Sequence, residues 1–341
     1  MNEPIFIARQ DTLEQEILPA QWLSQYKLFG EESYTFQDKE IWKKLCMSRA
    51  AANDRDMHAE ALEEMLTTFS AEHTGKWMLT VYGMDAAVLE GLASMAAIAA
   101  NGTAMAAVAG NALLMHAITN SETAMQAISR SQTAMQRIAN STTAMDAISG
   151  SKIARGAVQA SPYYNSYIKE NDMAIAKLAV ALANLESAGY SGCAGMAADS
   201  TAMTAVAASS TAMTAVAASS TAMTAVAASA TAMGKIAEVA SALSKLSANT
   251  TALDALYARK KQMKGASATK TGKFIILEIS ASNAFNTSKY GYATLSDGSK
   301  PDWSSYLTKY AFFKQYPKYA TYMKNDTDSD DYIYYFDIAS P

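Results

Sequence analysis

The sequence predicts a mainly α fibrous shaft of short capped helices in 10-residue repeats, with an α-rich N-terminal domain and a small β-rich C-terminal domain. Three patterns carry this prediction. A Met recurs every ten residues with Ile or Val three positions later, and Ser or Asn recurs four positions before the Met. The end of the chain changes to β-branched and aromatic runs separated by turn-forming stretches.

Residues 1–84 read as an N-terminal globular attachment domain. Apolar residues lie at helical spacing between residues 42 and 69, among them Trp42, Leu45, Leu62 and Phe69. The start of the chain has acidic residues and no basic segment followed by an apolar run. We therefore predict no signal peptide and synthesis in the cytoplasm.

The composition excludes several classes of partner. The 341 residues carry a net charge of −4, which gives no general attraction to nucleic acid or to an anionic membrane. The Ala-rich stretches are interrupted by Ser, Thr, Asn and charged residues, so no segment resembles a membrane helix of about 20 apolar residues. We expect neither a nucleic-acid partner nor membrane insertion.

Residues 85–257 form the repeat region, in which the Met column and the Ile or Val column lie three residues apart. This spacing puts both side chains on one face of a helix, where they can be buried together. The predicted shaft core includes Met125, Ile128, Met135, Ile138, Met145, Ile148, Met203, Val206, Met213 and Val216.

One continuous helix cannot keep these pairs on one face. Ten residues at about 100° each fall about 80° short of three turns, so the apolar stripe would wind around the helix. The column four residues before Met indicates a break in every repeat, because Ser and Asn are preferred N-cap residues. The predicted helix caps include Ser121, Ser131, Ser141 and Ser161.

The residue before each cap is expected to end the preceding helix. In the first block this column contains Gly110, Asn120 and Gly150, which tolerate the left-handed conformation typical of helix C-termini. In the second block it contains Ala, so we expect a less firmly encoded break there. The repeat register also shifts between the blocks, which predicts an irregular insert near 160–200.

A single decamer buries too little to fold alone. Its Met and Ile contribute roughly 1.5–3 kcal/mol each, whereas ordering ten residues costs about 15 kcal/mol. Stacking along the chain supplies two neighbours, and we expect other copies of the same chain to supply the rest. The sequence therefore predicts a homotrimer.

Residues 258–273 are basic and then contain Gly, Ser and Thr, so they are predicted to be a linker or neck. Residues 274–341 are predicted to form a β-rich, Tyr-rich tip domain. Two roles stay open for its tyrosines: sugar binding by ring stacking, or the aromatic core and subunit contacts of a small domain. The candidate tip interface consists of Tyr306, Tyr310, Tyr316, Tyr319 and Tyr322.

The acidic segment of the tip gives one metal candidate. Asp326, Asp328 and Asp330 have the spacing of a calcium loop, but Asp331 stands where that loop needs Gly, and no Glu closes it. We expect a polar hairpin turn and no bound metal. The sequence has no nucleophile constellation, phosphate loop or zinc spacing, so we predict no enzymatic activity and no cofactor.

The repeated phrase Ser-x-Thr-Ala-Met-x-Ala-Ile-Ala resembles the low-complexity shafts of tail-fibre and related virion proteins of tailed bacteriophages. The resemblance covers roughly residues 85–257 and is only architectural at the two ends. It implies a homotrimeric fibre that joins the virion at its N-terminal end and touches the host at the other end. It carries over no catalytic residue.

Two function hypotheses follow. The first is a structural virion fibre, a phage tail fibre located in the virion after synthesis in the host cytoplasm. Its N-terminal domain would bind the baseplate, collar or another virion protein, and its tip would bind a host surface glycan or protein. The second is an adhesin-type binding module on a helical stalk, and a fibre that only bridges virion proteins is a further alternative.

Overall fold

The computed structural model describes residues 84, 86–89, 91–92, 94–265, 267–280, 291–301, 308–326 and 331–341. The predicted N-terminal domain, residues 1–84, lies outside the described residues except for Met84. The chain divides into two compact units, Met1–Ile168 and Lys169–Pro341. The described chain is rich in helix and has a small antiparallel sheet near the C-terminus.

The described part of the first unit contains nine short helices. They are α1 (Ala86–Leu89), α2 (Met95–Ala100), α3 (Gly102–Gly110), α4 (Ala112–Thr119), α5 (Glu122–Ser129), α6 (Gln132–Ala139), α7 (Thr142–Gly150), α8 (Lys152–Ala160) and α9 (Tyr164–Tyr167).

The described part of the second unit contains nine more helices and five strands. The helices are α10 (Asp172–Leu182), α11 (Cys193–Ala198), α12 (Ser200–Ala208), α13 (Ser210–Ala218), α14 (Ser220–Ala227), α15 (Ala230–Ala237), α16 (Ala240–Ala248), α17 (Thr250–Ala258) and α18 (Ala311–Gln315). The strands are β1 (Lys261–Lys264), β2 (Ala268–Ser280), β3 (Gly291–Leu295), β4 (Ala320–Asn325) and β5 (Tyr332–Asp337).

The helices of each stack wind three to a turn. Consecutive helices meet at sharp bends, 100° between α3 and α4 and 104° between α12 and α13. The most extensive helix–helix packing joins each helix to the third one after it, as α3 to α6 and α12 to α15. About thirty residues therefore complete one turn, and each decamer lies beside the decamers of the neighbouring turns.

The predicted caps occupy the bends. Ser121, Ser131 and Ser141 have extended backbone, and each side-chain oxygen accepts the N–H of the residue three positions later. These bonds satisfy N–H groups that a helix start otherwise leaves without a partner. Ser161 does not begin a helix as predicted: it ends α8, Tyr163 precedes α9, and the Ser161 side chain accepts the N–H of Tyr163 in the turn between them.

The capping hydroxyls also join successive turns. Ser131 Oγ donates to the carbonyl oxygen of Ala99 at 2.6 Å, thirty-two residues earlier. Four other serines repeat this bond at the same separation: Ser141 to Ala109, Ser151 to Thr119, Ser161 to Ser129 and Ser229 to Ala197. One side chain therefore starts a helix and fixes the next turn on the one before it.

The residues predicted as shaft core are buried inside each stack. Met125, Ile128, Met135, Ile138, Met145, Ile148, Met203, Val206, Met213 and Val216 are all 0% exposed. The Ala before each Met is also buried, which lets the helices approach closely. We expected other copies of the chain to cover these side chains, but helices of the same chain do so. The homotrimer stays a prediction, but the need to cover the repeat core no longer supports it.

The expected helix endings are wrong in their backbone conformation. Gly110, Asn120 and Gly150 do not have positive φ angles, and helices of the second block end as sharply as those of the first. The chain leaves the helix through one extended residue, as at Ser209, which ends α12 and begins α13 with φ −90° and ψ 111°. After α14, Ala228 keeps a right-handed helical conformation with φ −85° and ψ −10°, and Ser229 is the extended residue. Both conformations are open to any L-residue, so no Gly or Asn is needed.

The segment 160–200 departs from the decamer pattern. In the first unit, α8 is followed by the four-residue helix α9. In the second unit, α10 has eleven residues and a loop joins it to α11. The ammonium group of Lys177, which is 0% exposed, holds this loop by donating to the carbonyl oxygens of Ser187 and Ala188 at 3.1 and 3.0 Å.

The sheet has the strand order β1-β5-β2-β4-β3, and all its pairs are antiparallel. One face contributes Ile275, Leu277 and Phe336 to the buried cluster that contains the Met, Val and Leu columns of the second unit. The opposite face has its own cluster, which includes Ile276, Met323 and Ile333. The sheet and the last helices therefore share a core.

The predicted linker at 258–273 is replaced by regular structure. Ala258 ends α17, and β1 and the first residues of β2 follow. In β1, Met263 is buried while Lys261 and Lys264 flank it with exposed or half-exposed side chains. The basic segment therefore forms the edge strand β1 of the sheet. Its one apolar side chain, Met263, points into the core, and its polar side chains stay accessible.

Candidate functional site

The junction between α17 and the sheet is built around Tyr257. Its hydroxyl donates to Glu278 Oε2 at 2.5 Å. Its ring meets the rings of Tyr310 and Tyr334 edge-on, with centroids 5.6 and 6.1 Å away. Burial and the bond to Glu278 raise the pKa of Tyr257 above its usual range. The phenol therefore stays protonated and fixes the carboxylate at neutral pH.

Two lysines lie over the aromatic rings of this junction. Lys260 Nζ is 4.1 Å from the ring centroid of Tyr257 and 5.2 Å from that of Tyr334. Lys309 Nζ is 4.3 Å from the Tyr257 centroid and also bonds to Asp254 Oδ1 at 3.3 Å. A cation over a ring face is favourable, and more so where water is partly excluded.

The strand register places polar side chains on both sides of Tyr332 and Tyr334. On β1, Gln262 lies opposite Tyr334 and Lys264 opposite Tyr332. On β2, Glu278 pairs with Tyr334 and Ser280 with Tyr332. Directly paired residues of an antiparallel sheet point to the same face. We call the surface formed by these six residues, together with Tyr257 and Lys260, the Tyr332/Tyr334 face.

The Tyr332/Tyr334 face is open where the helices no longer cover the sheet. On β5, Phe336 is fully buried in the core shared with the helices, whereas Tyr334 and Tyr332 are half-buried. Their ring centroids are 4.6 Å apart with the planes at 57°. Hydrogen bonding to Tyr332 and partial burial raise the pKa of Tyr334. Tyr334 is therefore neutral, and both rings are held in contact and partly accessible.

A second pair of tyrosines lies near the other edge of the sheet. The ring centroids of Tyr292 on β3 and Tyr322 on β4 are 5.4 Å apart, with the planes at 33°. Lys300 Nζ lies 4.8 Å from the Tyr292 centroid. Lys324 on the same strand as Tyr322 forms a 2.6 Å ion pair with Asp326. Of the two lysines beside this second pair, Lys324 is therefore neutralised, whereas no carboxylate of the described residues lies within ion-pair distance of Lys300.

The predicted tip tyrosines have different environments. Tyr306 lies outside the described residues. Tyr310 is only 6% exposed, and its hydroxyl bonds to Asp254 on α17, so it joins the sheet to the helices. Tyr316 packs on Phe312, Tyr319 lies beneath Lys273, and Tyr322 belongs to the second pair.

Tyr257, Tyr332 and Tyr334 were not among the predicted site residues. Tyr257 was assigned to the shaft, and its role depends on the strand register of β2, which is irregular between Ile276 and Glu278. The alternation in "YIYYFD" was a usable signal, because it places Tyr332 and Tyr334 on the same face as Phe336.

The calcium candidate is partly accounted for by other contacts. Asp326 accepts a 2.6 Å hydrogen bond from Ser267 in addition to its ion pair with Lys324. Asp328 and Asp330 lie outside the described residues. Within the described ranges, no group of three or more His, Cys, Asp or Glu side chains is arranged to hold a metal ion.

The described helices are short, and the longest, α10, has eleven residues. None of these helices is by itself both long and apolar enough to cross a membrane. Two pairs, α3 with α4 and α12 with α13, meet the length and composition requirement only when counted together across their bends.

No protein-family model matches the chain, and no curated protein shows significant similarity to it.

Proposed function

We propose that this chain is a non-enzymatic structural protein of a virion, a phage tail fibre whose helical repeats separate an attachment region from a recognition end. The observation that carries the proposal is the hydrogen bond from capping serines to the preceding turn, repeated at a separation of thirty-two residues. In such a stack each turn contacts only its neighbours, so the number of repeats sets the length.

The outer surface of the repeats supports a spacer role. In α12, the exposed positions are Ser200, Thr201, Thr204 and Ala208, which are small and uncharged. The segment 200–229 repeats the same ten residues three times. Three decamers make about one turn, so the three sides of that turn present the same surface. Such a surface favours a stalk over a ligand-specific face.

The two ends complete the proposal. Residues 1–84 would bind a baseplate, collar or other virion protein, and the C-terminal sheet would bind a host surface glycan or protein. We propose that three chains associate after each has buried the core of its repeats with its own helices. The resemblance of the repeats to phage fibre shafts supports this assignment over a bacterial adhesin. A fibre that only bridges virion proteins is the alternative.

Localisation tests this function directly. An antibody against a peptide from 200–229, coupled to gold, should label the periphery of intact particles in micrographs. A chain lacking 1–84 should be made but be missing from purified particles. Labelling of the bacterial envelope without particles would favour the adhesin, and labelling of the free cytoplasm alone would overturn both readings.

The recognition end should be tested by point substitutions. Deleting 274–341 would remove Ile275, Leu277 and Phe336 from the core shared with the helices, so the deleted chain would lose stability as well as any binding. Substitutions of half-exposed tyrosines leave this core intact, so a loss of binding can be measured separately from a loss of stability.

A further inference from the structure

We propose that the Tyr332/Tyr334 face is a binding site for an acidic saccharide. The inference deepens the proposed recognition role of the C-terminal sheet and rests on it. The site is defined by the central tyrosines of β5 and by the polar side chains that the register places on β1 and β2.

The aromatic rings supply the apolar part of the site. Tyr332 and Tyr334 are half-buried, with ring centroids 4.6 Å apart. Tyr257 lies at their border and is held by Glu278. A sugar ring has an apolar C–H face that packs on an aromatic ring, and tyrosine combines a large rigid ring with a polar hydroxyl. Because neighbouring rings already hold these tyrosines, binding would immobilise few free side chains.

The flanking strands supply the polar part of the site. Gln262 and Lys264 are exposed on β1, while Glu278 and Ser280 are half-buried on β2. Neighbouring strands lie about 4.8 Å apart, so these groups line both sides of the tyrosines within reach of one ligand. An amide, an amine, a carboxylate and a hydroxyl together offer both donors and acceptors, as the hydroxyl groups of a saccharide require.

The charge of the face selects an acidic ligand. Lys260 and Lys264 are both exposed, and among the described residues neither has a carboxylate within ion-pair distance. Glu278 is the carboxylate of the face, and it accepts the hydroxyl of Tyr257. Within the described ranges, two ammonium groups without a carboxylate partner therefore flank the rings, which favours a saccharide that carries carboxylate groups.

The second tyrosine pair gives a matched control. Tyr292 and Tyr322 are also half-exposed, in ring contact and on the same sheet, but Lys324 beside them is paired with Asp326, so Lys300 is the one lysine of the described residues beside them that has no ion pair. Ring exposure alone would make both pairs bind. The proposal instead requires rings flanked by two lysines that have no carboxylate partner among the described residues, so it assigns the acidic saccharide to Tyr332 and Tyr334.

The test measures binding of the full-length chain by isothermal titration calorimetry with three probes: hexagalacturonate, neutral maltohexaose and hexaglutamate. We expect hexagalacturonate to bind at least tenfold more tightly than either of the others. Tyr334→Ala should weaken this binding at least tenfold, whereas Tyr292→Ala should change it less than twofold. Lys260→Gln with Lys264→Gln should remove the preference for the acidic sugar over maltohexaose.

Several results would overturn the proposal. Equal binding of hexaglutamate would show a charge effect without sugar recognition, and equal loss with Tyr292→Ala would show general aromatic adhesion. Absence of binding to every saccharide would exclude the site. If Tyr334→Ala lowered the melting temperature, the test would use Lys264→Glu instead, a substitution at an exposed side chain of the same face. Because particle localisation is measured separately, failure here leaves the proposed virion role standing.

Discussion

The hydroxyl of Ser229 donates a 2.6 Å hydrogen bond to the carbonyl oxygen of Ala197, thirty-two residues earlier in the chain. The same oxygen accepts the N–H of Ala232 at 3.1 Å and so begins α15. A hydroxyl can donate and accept at once, whereas a carboxylate only accepts. This double use explains why Ser serves at the bends that lie above an earlier turn.

Substitutions at Ser229 should measure the contributions of its cap bond and of its bond to Ala197 to the stability of the chain. Ser229→Ala loses both and should lower the free energy of unfolding by about 1 kcal/mol for the cap and about 1 kcal/mol for the bond between turns. Ser229→Thr keeps both groups and should stay close to wild type. Chemical denaturation measures each difference.

Ser229→Asp distinguishes the two contributions, because Asp is a good N-cap but cannot donate to Ala197. We expect it to be less stable than Ser229→Thr. Ser210→Ala, at an exposed first helical position, is the control and should change stability by less than about 0.5 kcal/mol. An Asp variant as stable as wild type would show that the bond between turns contributes nothing.

The Met column should be the most sensitive part of the repeats. Met213 is 0% exposed, so Met213→Ala should cost about 2–5 kcal/mol through lost burial and the cavity left behind. Met213→Leu nearly conserves volume and should cost less than about 1.5 kcal/mol. Thr214→Ala changes an exposed neighbour and should leave the free energy of unfolding nearly unchanged. Equal losses of stability for Met213→Ala and Thr214→Ala in thermal unfolding would contradict the burial of Met213.

Two glycines of the second unit should respond in opposite directions. A Cβ on Gly192 would lie 2.2 Å from Asp172 Oδ2, whose partner oxygen accepts the N–H of Cys193. Gly192→Ala should therefore destabilise the chain by about 1–3 kcal/mol. Gly195 lies inside α11 with nothing within 4 Å of an added Cβ, so Gly195→Ala should stabilise it by up to about 1 kcal/mol. The same sign for both variants in urea unfolding would refute this local packing.

Tyr190 should make the second unit sensitive to alkali. Burial, together with its 2.7 Å hydrogen bond to Asp199, raises the pKa of Tyr190 to about 12, against about 10 in an unfolded chain. Because the unfolded state then loses its proton first, the stabilisation by Tyr190 is fully present below pH 10. It should be lost as the pH rises towards 12.

Tyr190→Phe tests this dependence. The stability advantage of the wild-type chain over Tyr190→Phe should shrink between pH 9 and pH 12 in urea unfolding experiments. Tyr292→Phe, at a half-exposed ring, is the control. An advantage that grows with pH would have the wrong sign for a tyrosine whose pKa is raised.

The decamer helices were predictable because their signals are local. The three-residue spacing of Met125 and Ile128 and the Ser four residues before each Met require no knowledge of distant contacts. The winding of three helices per turn was not predictable in this way. It depends on pairing between residues about thirty apart, such as Ser131 and Ala99, and one repeat looks the same whether its neighbours come from its own chain or from another.

The recognition surface was harder to foresee. Lys261 to Lys264 read as a basic linker because only Met263 reveals the alternation of an edge strand. The sequence predicts an interface role for Tyr310, yet its bond to Asp254 makes it part of the junction between sheet and helices. Tyr257 joins Tyr334 only through the register of β2 and β5, which the sequence of either strand alone does not specify.

The central claim is that one chain closes the core of its own repeats. Sedimentation velocity and far-ultraviolet circular dichroism, recorded on the same samples through a dilution series, test it most directly. We expect helix content and cooperative thermal unfolding to persist at dilutions where the sedimenting mass is that of a single chain. Loss of helix in step with dissociation of an oligomer would contradict it, and would show that neighbouring copies complete the core.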